Sequence, residues 1–221
     1  MSCCCAPNRA AVEGTNEFFN TQARRLEKQF KKKGLRKEQK HLVDGIRRSG
    51  MHDAEILEIG CGVGGLHLSL LKDVATKATG FDISEKMIAL ARKLAAGMGL
   101  QERTQYWRGD FVAMHDDAPA ADVTILDKVI CCYENAPELI ARSAAKTRRI
   151  YAVSYPRENF FVRLMFRNAK YLLKLFRQTF HPYYHEPRQV QNWIADASFE
   201  KVYEKTTTIW LIQVFQRKIQ N

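Results

Sequence analysis

Eight consecutive residues constrain this chain more than any others. Glu58-Ile59-Gly60-Cys61-Gly62-Val63-Gly64-Gly65 follows a short β-like run at 55–59 and opens a helical pattern at 66–75. Glycines let the main chain turn sharply and come within van der Waals reach of a ligand. The helix that follows presents free N–H groups. Dinucleotide enzymes also use a glycine turn, but the spacing here is E-x-G-x-G-x-G rather than G-x-G-x-x-G. Glu58 stands where it would repel a pyrophosphate and accept a hydrogen bond from an ammonium. A second acid, Asp82, ends the next strand, placed to take two ribose hydroxyls.

The rest of the chain extends that unit. Strands are expected at 55–59, 78–82, 104–108, 123–126 and 149–154. Helices fall between them at 66–75, at 84–98 with Ser84 as N-cap, and from Asn135-Ala136-Pro137-Glu138, which has a cap residue, a first-turn proline and a capping-box glutamate. Alternation of this kind means a parallel sheet with right-handed crossovers. Two helices, 15–33 and 36–50, break at Gly34. Residues 158–180 read as a long amphipathic helix or helix pair, with Phe160, Phe161, Leu164, Met165, Tyr171, Leu172, Leu175 and Phe176 on its apolar side. Glu186-Pro187 opens a further helix, and 200–208 with 210–216 form a terminal antiparallel pair. The 221 residues suit one domain. Its expected parts are an unstructured 1–14, a helical cap at 15–50, a core at 54–155, a helical insertion at 156–185 and a C-terminal helix and strand pair at 186–221.

No apolar run is long enough to span a membrane, and Met1 to Arg9 lacks a secretory signal, so a cytoplasmic location is expected. The net charge of +11 raises the expectation of an anionic partner. Much of it lies in Arg24, Arg25, Lys28, Lys31, Lys32, Lys33, Arg36, Lys37 and Lys40, and again in Arg163, Arg167, Lys170, Lys174 and Arg177. Adjacent cysteines make a poor disulfide framework. Cys3-Cys4-Cys5 has no partner at zinc-site spacing, so no metal site is expected.

With these residues in order, the chain resembles the class I S-adenosylmethionine-dependent methyltransferase family. Its motifs correspond to Glu58–Gly65, to Gly80-Phe81-Asp82-Ile83-Ser84, to Gly109-Asp110-Phe111 and to Asp127-Lys128-Val129. The resemblance implies a doubly wound, Rossmann-like α/β fold with a seven-stranded sheet in the order 3-2-1-4-5-7-6. It implies S-adenosyl-L-methionine as cofactor, with Gly60, Cys61 and Gly62 along its amino-acid end, Asp82 on the ribose, Ile83 over the adenine, Asp110 at the adenine amino group and Phe111 beside it. Gly64, Met87 and Asp127 complete the expected cofactor set.

The acceptor is less constrained. The segment after the fourth strand, Asp127-Lys128-Val129-Ile130-Cys131-Cys132-Tyr133, lacks the proline loop of amino methyltransferases acting on bases and the Pro-Cys of cytosine-C5 enzymes. Nucleic acid is therefore not the expected substrate. That segment, with Ser154-Tyr155-Pro156-Arg157 and Phe180-His181-Pro182, resembles a branch related to magnesium-protoporphyrin O-methyltransferases, which methylate a carboxylate. The expected acceptor is a small molecule, anionic or flat and aromatic. The other reading is an RNA- or protein-modifying enzyme that docks through its basic N-terminal helices. Candidate catalytic residues are His181 and His185, in a loop near the cofactor end of the sheet, with Tyr133 and Lys128 after the fourth strand. For each, an incidental surface or packing role stands beside the catalytic one.

Overall fold

The computed structural model describes residues 9–175 and 180–218. Five parallel strands form one side of the sheet: β1 (Ala54–Ile59), β2 (Ala75–Asp82), β3 (Thr104–Arg108), β4 (Ala121–Asp127) and β5 (Thr147–Pro156). Two antiparallel strands, β6 (Phe199–Thr206) and β7 (Trp210–Arg217), complete it in the order β3-β2-β1-β4-β5-β7-β6. This is the expected topology. The order reverses between β1 and β4, and open α/β sheets place ligands at the strand ends beside such a reversal.

Side chains alternate across the strands and feed two cores. Ile56, Ala78, Val123, Ile150 and Val214 face α2 (Lys37–Arg48), α3 (Gly65–Leu70) and α4 (Glu85–Gly97). Leu57, Phe81, Leu126, Tyr151 and Phe215 face α5 (Phe111–Met114), α6 (Ala136–Ala145) and α8 (Pro187–Asp196). Helix α1 (Arg9–Lys33) lies over α4, where the Asn20 side-chain oxygen accepts from the Ser84 hydroxyl at 2.7 Å and the Lys86 N–H at 3.1 Å. It begins inside the 1–14 stretch expected to lack structure, consistent with the high helix propensity of Ala10 and Ala11. Cys3, Cys4, Cys5 and Phe176 lie outside the described residues.

Two local expectations change. Helix α3 stops at Leu70 and β2 starts at Ala75, so the expected helix over 66–75 is cut short. The Arg103 guanidinium donates to the carbonyls of Leu71, Ala75 and Thr76 and holds this turn. Helix α7 (Phe160–Leu175) also turns a different side inward. It buries Val162 and Phe166, while Phe160, Phe161 and Met165, expected on its packed side, are exposed.

Candidate active site

At the end of β1 the chain reverses through Gly60, Gly62 and Gly64, with φ of 65°, 54° and 84°. A side chain costs roughly 1–2 kcal/mol in that left-handed region. Space is also tight. A Cβ on Gly60 would strike Val129, and one on Gly64 would lie 2.9 Å from the His67 ring. Behind the turn Glu58 is only 2% exposed. Its Oε2 lies 2.6 Å from His67 Nδ1 and accepts the His67 backbone N–H at 3.2 Å. The other ring nitrogen is 2.8 Å from the Tyr106 hydroxyl. Burial pushes the Glu58 carboxyl above its ordinary range, and the contacts with His67 oppose this.

Asp82 ties the turn to the next strand. Its Oδ2 accepts the Gly62 N–H at 2.7 Å and its Oδ1 the Ser84 N–H at 2.8 Å. Each oxygen keeps acceptor capacity for a ligand hydroxyl. Burial pushes its pKa up to about 6, against the pull of the two backbone donors. A carboxyl raised in this way binds more protons folded than unfolded between its ordinary value and about 6. The protein therefore loses stability as pH rises through that window. A ligand that donates to the ionised carboxylate offsets the loss. Asp110 caps α5 through the Val112 N–H at 2.9 Å and accepts the Tyr133 hydroxyl at 3.0 and 3.2 Å. Burial raises Asp110, and burial with the neighbouring Asp110 charge raises Tyr133, which stays a protonated donor.

Asp127 ends β4. Its Oδ1 accepts the Ser154 hydroxyl at 2.5 Å, and its Oδ2 accepts Gln39 Nε2 and Lys128 Nζ, both at 2.9 Å. Lys128 Nζ is also 3.0 Å from Glu38 Oε1 and 5.5 Å from the Trp210 ring centroid. Its φ of 62° is strained for a residue with a side chain. Lys128 thus bridges α2, β4 and β7, its charge set between two carboxylates.

These groups open onto one cavity of about 1320 Å³. Small-molecule sites run roughly 300–1,000 Å³, so the space fits a cofactor and an acceptor together. Every expected cofactor residue lines it except Gly64, which serves the turn as the residue before α3. The wall around the turn is acidic despite the basic chain, carrying Glu58, Asp82, Asp110, Asp127, Glu134 and Glu138. The cavity is also lined by the aromatic residues Phe19, Phe166, Phe180, Tyr183 and Trp210.

The four catalytic candidates separate. Tyr133, Lys128 and His181 line the cavity, whereas His185 is not among its lining residues. Its Nε2 instead contacts the Tyr133 carbonyl at 2.9 Å, its ring stacks on Tyr183, and burial lowers its pKa. Only His181 brings an unengaged group: its Nδ1 is buried without a hydrogen-bond partner. Arg163 and Arg167, whose charge suggested an anionic partner, are exposed and do not line the cavity. The sequence reading missed His67, Tyr106, Gln39 and Ser154, which hold the acids in place.

Residues 56–152 match the family model of the methyltransferase domain. Ajmaline N-methyltransferase from Rauvolfia serpentina is 31% identical over 70 residues, 32% of this chain and 24% of that protein. The chain thus spans about a quarter of that curated relative. Among solved structures, magnesium protoporphyrin IX methyltransferase from Synechocystis PCC 6803 with bound SAH superposes with a TM-score of 0.72 at 20% identity, covering 92% of this chain and 98% of that one. An O-methyltransferase family protein from Burkholderia thailandensis gives 0.67 at 16% identity, covering 92% and 63%.

Proposed function

We propose that this chain, whose residues 56–152 match the methyltransferase-domain family model, is a class I S-adenosylmethionine-dependent methyltransferase that methylates a hydroxyl oxygen on a flat, largely apolar small molecule. S-adenosylmethionine supplies a methyl group activated on a sulfonium. The acidic residues suit that cation: Glu58 would accept from its ammonium, Asp82 would take the ribose hydroxyls, and Asp110, steadied by Tyr133, would meet the adenine amino group. The aromatic residues Phe19, Phe166, Phe180, Tyr183 and Trp210 would hold the acceptor. Alignment and the exclusion of water supply much of the catalysis.

The observation that carries the acceptor reading is the unpartnered Nδ1 of His181. A buried polar atom without a partner is costly, and because this one is screened from solvent, a turn of the His181 ring toward the cavity it lines would bring it to an acceptor hydroxyl. His181 would then take the hydroxyl proton as the oxygen bonds to the methyl carbon and the carbon–sulfur bond breaks, with S-adenosylhomocysteine leaving. Lys128 is already held by Asp127 and Glu38, so a carboxylate acceptor would fall to Arg36, which lines the same cavity and donates to Gln29. Labelled cofactor and a metabolite pool, with the product read by mass spectrometry, identify the acceptor. With it, His181→Ala is expected to lower kcat by about 10²–10⁴-fold and to leave the affinity for S-adenosylhomocysteine unchanged. Full turnover by that variant overturns the role of His181.

A further inference from the structure

We propose that α7 seats this protein on an anionic lipid surface through Phe160, Phe161 and Met165. The helix has two apolar sides. Val162 and Phe166, one turn apart, are 5% and 8% exposed, and Phe166 packs near the rings of Tyr184 and Trp210. Phe160, Phe161 and Met165 are 74%, 76% and 44% exposed. Among the described residues these make up three of the four exposed large hydrophobics, all within two turns of one helix. Scattered apolar residues are normal on a surface, but a cluster marks an interaction site.

The flanking charges indicate what covers it. Arg163 and Arg167 are exposed one turn apart on the same helix. Among the described residues Arg163 is joined to Glu186 by a loose, exposed contact of 3.5 Å, and the one acid exposed at the start of the helix is Glu158. Aromatic side chains beside arginines match the headgroup boundary of a bilayer, where rings enter the acyl region and guanidinium groups meet phosphates. The net charge of +11 favours an anionic leaflet. The patch is also small. A stable protein interface buries roughly 800 Å² on each partner, whereas an interfacial helix needs only its own apolar side. Through Phe166 the same helix lines the cavity, so the lipid-facing and cavity-facing sides lie back to back. This reading is independent of which acceptor the cavity takes.

Flotation of the full-length protein with phosphatidylcholine vesicles, with and without phosphatidylglycerol, tests it. The protein is expected to float with the anionic vesicles and to dissociate as ionic strength rises past about 0.15 M, where screening reaches ~8 Å. Phe160→Ser with Phe161→Ser should weaken this at least about tenfold. Arg163→Glu with Arg167→Glu should remove the preference for anionic lipid. Both pairs are exposed, so thermal melts should match wild type and separate lost binding from lost folding. The proposal is overturned if wild type ignores anionic vesicles, or if the phenylalanine variant binds them equally well. It is also overturned if that variant only abolishes self-association seen by sedimentation, which would make this side an interface between copies.

Discussion

Asp82→Ala is expected to weaken binding of S-adenosylhomocysteine by about five- to a hundredfold, with a loss of stability besides. The affinity figure follows from leaving buried hydroxyls unpaired, at about 1–3 kcal/mol. The stability loss has a separate origin. Both carboxylate oxygens accept main-chain N–H groups, from Gly62 and from Ser84, at the junction of two strands and the glycine turn. Removing the carboxylate orphans both donors. For a chain of this size each kcal/mol lowers Tm by roughly 2–4 °C. Asp82→Asn should recover only part of this, since its amide nitrogen would face one of the donors. Unchanged affinity in the alanine variant, measured by calorimetry, would remove Asp82 from the binding site.

His67→Ala should be the most destabilising single change at the site. His67 is 0% exposed and is the partner of a glutamate that is 2% exposed. Removing one member of a buried pair costs about 3–5 kcal/mol, because Glu58 then keeps the residue-67 backbone N–H as its partner but loses the ring contact at 2.6 Å. Tyr106 would also lose its contact with the ring. The expected fall in Tm is roughly 6–20 °C at the same scaling. The deficit should shrink as pH falls, because Glu58, already raised by burial, then takes up a proton and no longer carries a buried charge without the ring. Tyr106→Phe, which unpairs one ring nitrogen, should cost less. A His67→Ala melt indistinguishable from wild type at pH 7 would show that Glu58 does not depend on this chain of contacts.

The parts legible in the sequence are those written locally. Alternating elements, Ser84 and Asn135 as caps, and acids at strand ends yield the sheet order and place Glu58, Asp82, Asp110 and Asp127 on one cavity. The parts that were not legible depend on distant residues. Lys128 reads as a free cation until Glu38, on a helix ninety positions earlier, is seen 3.0 Å from its amine. Helix α3 ends early at a turn whose carbonyls are bound by Arg103, more than thirty residues downstream. Helix α7 misled for another reason. It carries two apolar sides, and the periodic reading picks out the one with Phe160, Phe161 and Met165, which the structure leaves exposed, and not the one with Val162 and Phe166, which it buries. His67 belongs to no motif, and only its place in the first turn of α3, beside Gly64, could have drawn attention to it.

The central claim is that the acidic turn binds S-adenosylmethionine. Calorimetric titration of the wild-type protein with S-adenosylhomocysteine, repeated between pH 5 and 8, tests it most directly. The expected result is micromolar binding at neutral pH that weakens as pH falls through about 6, where Asp82 takes up its proton. Absence of binding across the whole range would contradict the account.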